Sequence, residues 1–170
     1  KVGEVWRMCL LFLVLVFVIS FAVSIFSRNE DAYTGNYSFS PRQKADAAFV
    51  TPVFELKGRT SNVEVVTQTD LDNNWVYLNF ALINQDTGQA YDFGREIGYY
   101  SGRDSDGSWS EGNARDEVTI PSVPAGHYYL RVEPEMAPDA PREVSYSVRV
   151  RRDVPTYWVI WLAADRKSVV

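Results

Sequence analysis

Residues 8–26, MCLLFLVLVFVISFAVSIF, run from Met8 to Phe26 without a charge, and only Cys9, Ser20 and Ser24 interrupt the large apolar side chains. As a helix rising ~1.5 Å per residue, this stretch spans roughly 28 Å, close to the ~30 Å hydrocarbon thickness of a bilayer. A helix satisfies its own backbone hydrogen bonds, so it can lie in lipid without stranding polar groups. A buried core helix would keep a polar stripe, and none is visible. The pattern predicts a transmembrane helix with its cytoplasmic flank over residues 1–27, and membrane attachment through residues 8–26. A cleaved signal has a shorter apolar region, about 7–15 residues, closed by a small-x-small site. Ala22-Val23-Ser24 resembles such a site, but the apolar run continues past it to Phe26. Lys1 and Arg7 precede the run, whereas Arg28 is followed at once by Glu30 and Asp31. The positive-inside rule then places the N-terminus in the cytoplasm and everything after the span outside. Because the chain starts with Lys rather than Met, further cytoplasmic sequence is expected upstream.

Beyond the span the period changes. Residues 28–48 are polar and rich in small residues, with Gly35 and Pro41 as breakers. They read as a juxtamembrane linker, with at most a short strand over 37–39. Strand patterns follow over 49–55, around Pro52, and over 62–69. Across 74–84 the residues Val76, Leu78, Phe80 and Leu82 point one way, and Trp75, Tyr77, Asn79, Ala81 and Ile83 the other, as in a central strand of a sandwich. Residues 90–100 continue with Tyr91, Phe93, Tyr99 and Tyr100, and 101–113, SGRDSDGSWSEGN, read as a loop. Further strands are predicted over 117–120, 127–133 and 144–151, the last with Val144, Tyr146, Val148 and Val150 in strict alternation with polar residues. Seven or eight short strands separated by turns, without a competing amphipathic helix, predict an antiparallel β-sandwich over 49–152. The fold class is mostly β, with one transmembrane α-helix ahead of it. Residues 153–170 include the apolar, aromatic run VPTYWVIWLAA, stopped by Asp165-Arg166-Lys167. Eleven residues cannot cross a bilayer, so this is either a truncated second span or a complete interfacial segment, and the chain is single-pass or two-pass.

Charge narrows the partners. Of the 170 residues, those from 33 to 152 hold 12 Lys or Arg against 17 Asp or Glu, which accounts for the whole net charge of −5. An acidic surface of this kind excludes nucleic acid, whose binding needs clustered cations. It also disfavours close contact with anionic lipid. Cys9 is the single cysteine, so no disulfide forms within the chain and no cysteine-based metal site exists. Cys9 opens the apolar run behind Trp6-Arg7-Met8 rather than following small residues. That is not a lipoprotein attachment site; it is a small residue at the membrane face, with reversible acylation as the alternative.

Catalytic residue types are scarce. His127 is the only histidine, which excludes triads and histidine-based metal hydrolysis and leaves no catalytic residue and no enzyme to expect. Calcium is the sharper possibility. Asp104, Asp106 and Glu111 offer hard oxygen ligands around Gly107, and Asp70, Asp72 and Asn73 form a second cluster. The first does not have EF-hand spacing, and Asp with Gly is also what an ordinary turn requires. For a sugar or peptidoglycan ligand, Trp75, Tyr99, Tyr100 and Trp109 are suitable rings. Trp109 stands out because it lies in a polar stretch.

The order of motifs from 54 to 150 resembles the bacterial prepeptidase C-terminal type of jelly-roll domain. The matching stretches are Phe54-Glu55-Leu56-Lys57-Gly58, Asp70-Leu71-Asp72, residues 74–84, Glu111, Pro124-Ala125-Gly126-His127-Tyr128-Tyr129, and Tyr146-Ser147-Val148. Asn73-Asn74-Trp75 departs from the acidic or Leu-Tyr pairs usual there. The resemblance implies a jelly-roll-like sandwich serving as a non-catalytic accessory module on a secreted or surface protein, some members binding calcium or polymeric ligands. The expectation is a membrane-tethered extracytoplasmic binding or accessory module with a protein or polysaccharide partner. The alternative is a structural or assembly component of a larger membrane complex.

Overall fold

The computed structural model describes residues 2–26, 30–42, 48–138, 140 and 142–152. The apolar run forms one helix, α1 (Val2–Phe26). Its segment Gly3–Ala22 is long and apolar enough to cross a membrane, and none of it is buried within the protein. Leu10, Phe12, Leu13 and Phe17, pointing in different directions, all expose most of their surface. A helix apolar all round has no polar face to give to water.

Among the described residues, all strands lie in a separate compact unit, Glu30–Arg152. They are β1 (Glu30–Phe39), β2 (Phe49–Val50), β3 (Phe54–Leu56), β4 (Ser61–Thr69), β5 (Asn74–Asn84), β6 (Ala90–Asp104), β7 (Gly107–Gly112), β8 (Arg115–Val123), β9 (Gly126–Glu135) and β10 (Val144–Arg152). Two antiparallel sheets result, in the orders β1-β10-β4-β8 and β2-β9-β5-β6-β7, with β3 also on β9. The chain stays in the second sheet from β2 to β3 and from β5 to β7 and crosses between sheets at its other connections, the order of a jelly roll. The alternation read from the sequence sets the core. Val76, Leu78, Phe80 and Leu82 of β5, Tyr128, Leu130 and Val132 of β9, and Val144, Tyr146, Val148 and Val150 of β10 are all buried. Each such large side chain contributes on the order of 2 kcal/mol by leaving water.

Two expectations about boundaries need correction. The segment from Glu30 to Phe39 is not a linker but a ten-residue edge strand, paired with β10 from Glu30↔Arg152 to Phe39↔Val144. Its polar look has a cause: Thr34, Asn36 and Ser38 face solvent, while Tyr33 and Tyr37 turn inward. Residues 101–113 are likewise mostly strand. β6 runs on to Asp104, and β7 returns to Gly112 after the two-residue turn Ser105-Asp106. Residues 28–29 and 43–47 of the expected linker, and the C-terminal run 153–170, lie outside the described residues.

The two open sides of the sandwich are closed differently. On one, Tyr33 stacks on Phe54 (centroids 5.2 Å apart) and Tyr37 packs on Phe49 (4.3 Å) and Tyr146 (5.9 Å), bridging β1 to β3, β2 and β10. On the other, Arg95 of β6 forms a bidentate pair with Asp116 of β8, with Nε to Oδ2 at 2.6 Å and Nη2 to Oδ1 at 2.5 Å. The second sheet contains one interrupted edge. Pro52 lacks an N–H and separates β2 from β3, and the Thr51 hydroxyl instead accepts the Leu130 N–H at 3.0 Å.

Candidate functional site

The outer faces of the two sheets differ in chemistry. On the β1-β10-β4-β8 sheet the outward positions are small, polar or ion-paired, apart from Val66, which its neighbours cover: Arg151 reaches Glu64 at 2.5 Å, Arg149 lies 3.9 Å from Asp31, and Arg115 pairs with Glu117. On the other sheet the outward face of β5, β6 and β7 carries rings. Trp75 and Tyr77 come from β5, Tyr100 from β6 and Trp109 from β7, because strand alternation places each opposite the core-facing residues beside it. Trp109 is 46% exposed, Tyr100 37% and Tyr77 36%.

β6 supplies the ground on which these rings lie. Gly94, Gly98 and Gly102 recur every fourth residue, so all three share this outward face. None has a positive φ, so what each contributes is a missing Cβ. The Tyr77 hydroxyl occupies the place a Cβ on Gly94 would take. Above Gly98, Tyr100 Cε2 would be 3.3 Å and Trp75 Cβ 3.5 Å from a Cβ. Over Gly102, three Trp109 ring atoms, Cζ2, Cε2 and Nε1, stand at 2.7, 2.8 and 3.0 Å from that position. Near-equal distances to three ring atoms mean that the missing bond points into the ring face. The indole therefore lies flat on the backbone of β6 with its other face outward.

The register orders the rings. Trp75 pairs with Gly98, Tyr100 with Glu111, and Gly102 with Trp109. Tyr77, Trp75, Tyr100 and Trp109 thus step diagonally across three strands, a stripe on the order of 20 Å long at strand spacings of ~4.8 Å and rises of ~3.3 Å per residue. Carboxylates stand among them: Glu96 pairs with Tyr77, and Glu111 with Tyr100. Beside the stripe is an open cleft of about 400 Å³ lined by Glu96, Gly98, Tyr100, Glu111, Arg115 and Asp116. It exists because β7 covers only Tyr99 to Asp104 of β6, and Gly112, with φ +84°, turns the chain away toward β8.

The residues expected to hold calcium are not brought together. Asp104 lies at the hairpin turn, where its Oδ1 accepts the Asp106 N–H at 2.9 Å. Glu111 sits four rungs away, roughly 13 Å along the strands. The second cluster is spent on the backbone and a neighbour. Asp70 Oδ1 accepts the Ser145 N–H (2.8 Å), Asn73 Oδ1 accepts the Ser101 N–H (2.9 Å), and Asn73 Nδ2 donates to Asp72 (3.1 Å). Among the described residues, no three His, Cys, Asp or Glu side chains could share a metal ion. The acidic positions follow turn geometry rather than a coordination shell. His127 is exposed, with Nδ1 3.3 Å from Asp86. Of the four rings singled out in the sequence, Trp75, Tyr100 and Trp109 share one face; Tyr99 instead packs against the core. Tyr77 and the three glycines were not singled out, although glycine at every fourth position of an aromatic strand is a readable signal.

No family model and no curated protein matches this chain. Among solved structures, it is similar over 76% of its length to a chain in a structure of infectious bursal disease virus, Gt strain, with 16% identity and a TM-score of 0.31. A structure of the Gx strain of the same virus is matched over 84%, with 14% identity and a TM-score of 0.28. The chain spans 31% and 41% of those two viral chains.

Proposed function

We propose that this protein is a membrane-tethered, extracytoplasmic, non-catalytic binding or accessory module of bacterial type. The reading rests on one observation: one sheet leaves a stripe of rings uncovered on its outer face, while the other sheet's outer face is small, polar and ion-paired. Exposed apolar surface grouped on one face of a soluble domain marks a surface used in recognition. The helix Gly3–Ala22 supports a tether, and the basic residues ahead of it support an outward β-domain. The motif order shared with prepeptidase C-terminal domains agrees with an accessory role.

Two measurements test this. In a Cys9→Ser background, Ser108→Cys at the β7 hairpin should react with a membrane-impermeant maleimide in intact cells; reaction only after lysis would sink the extracytoplasmic placement. Hydroxyl-radical footprinting should find Trp109 and Tyr100 protected in the native envelope relative to the purified chain. Equal modification in both would remove the binding face. The assembly reading has its own observation. Among the described residues, no strand pairs with β6 on its outer edge before Tyr99, and an open edge accepts a further strand. Protection confined to that edge, with the rings still modified, would favour assembly.

A further inference from the structure

We propose that the stripe Tyr77-Trp75-Tyr100-Trp109 binds an uncharged polysaccharide, its pyranose rings stacking along the outer face of β5, β6 and β7. This rests on the binding-module reading and names its ligand class. Ring geometry is the first ground. Glycines 94, 98 and 102 let the side chains settle onto the sheet, and Trp109 lies flat with one face buried against Gly102 and the other outward. An outward ring face carries negative quadrupole density, which attracts the weakly positive C–H groups on the flat side of a pyranose.

The groups between the rings are the second ground. Glu96 stands across from Tyr77, Glu111 across from Tyr100, and Asn79 beside Gly94 on the same face. A protein partner pressing an apolar patch here would strip water from two carboxylates without replacing it, at a high cost. Sugar hydroxyls instead donate hydrogen bonds to carboxylates while the C–H faces cover the rings. The same carboxylates, on a chain of net charge −5, repel an anionic polymer. The site is an open stripe with a shallow cleft beside it rather than an enclosed pocket, as suits a polymer entering from the side.

The test uses the full chain in a detergent without a sugar headgroup, run through native gels containing hydroxyethylcellulose, glucomannan or xylan, with polygalacturonate and chitosan as charged polymers. At least one neutral polymer should retard the protein. Trp109→Ala should weaken that retardation about tenfold, roughly the loss of one ring stack. Trp109→Phe should restore most of it, and Thr119→Ala on the opposite sheet should change nothing. Trp109 lies on an exposed hairpin, and an unchanged melt confirms that its variants are folded. Retardation by none of the neutral polymers, by the charged ones alone, or undiminished in Trp109→Ala overturns the assignment. If footprinting still shows the rings covered in the envelope while none of the polymers binds, the occupant is a protein; the glycan is then wrong and the binding-module reading stands.

Discussion

Tyr37 and Tyr146 meet in the aromatic seam between the sheets, and their hydroxyls have different fates. The Tyr37 hydroxyl shares a hydrogen bond with Tyr33 above Gly35, whereas the Tyr146 hydroxyl is buried with no hydrogen-bond partner among the described residues. An unsatisfied buried hydroxyl costs about 1–3 kcal/mol, so Tyr146→Phe should raise unfolding stability by about 1 kcal/mol, read from a denaturant titration. Loss of stability in that variant would show that the hydroxyl has a partner. Burial also pushes both phenols above the ordinary value of 10.0, with the hydrogen bond to Tyr33 adding to the shift at Tyr37. Below pH 10 the folded and unfolded chains both hold these protons. Above it the unfolded chain releases them while the folded chain keeps them, so stability falls as pH rises toward the folded values. Tyr37→Phe should make that alkaline decline shallower, and an unchanged slope would count against burial as its cause. On the outer face, Gly102→Val places branched carbons where the Trp109 ring lies. The ring should lift, and radical modification of Trp109 should increase without a change of fold.

Among the elements, the pair Arg95–Asp116 joins β6 of one sheet to β8 of the other. Asp116 is only 18% exposed, Arg95 is at 42%, and the hydrogen bonds that Arg95 donates to the Asp116 carboxylate hold the guanidinium above its usual range. Partial exposure limits what the pair contributes. A double-mutant cycle with Arg95→Met and Asp116→Asn should give a coupling of about 1 kcal/mol that shrinks in high salt. A coupling near zero would mean that ring packing on the other side closes the sandwich alone. How far these elements could be read in advance depended on whether one face is buried. β5 and β10 were legible from alternation because one face of each is in the core. β1 was legible only at its end, 37–39, since Gly35 and the inward tyrosines break a simple apolar pattern and its outer face is wholly polar. The β6–β7 hairpin was missed for a related reason: Ser101 to Glu111 leave the sandwich core, so apart from the single ring of Trp109 both faces are polar or glycine and hydropathy carries no period. The ring stripe was half visible, because a sequence shows which residues are aromatic but not which strands lie side by side.

Taken whole, the β unit is held by core packing and strand pairing that run across both sheets. Every strand from β1 to β10 lies between Glu30 and Arg152, and the core is continuous across both sheets. A chain of residues 30–152 should therefore unfold in one cooperative thermal transition. Starting instead at residue 40 removes β1, leaves one edge of β10 unpaired from Val144 to Arg152, and uncovers Phe54, Phe49 and Tyr146, on which Tyr33 and Tyr37 pack. That shorter chain should lose the sharp transition, because a stripped central strand forfeits both its ladder and its apolar cover. Calcium separates this account from a metal-stabilised one. A ligand that binds the native state stabilises it by mass action, but Asp104 caps a turn and Glu111 lies four rungs away. The melting midpoint of residues 30–152 should be the same in calcium and in chelator. A midpoint several degrees higher in calcium would place an ion on this domain, and Asp104→Ala and Glu111→Ala would then tell which end of the β6–β7 hairpin holds it.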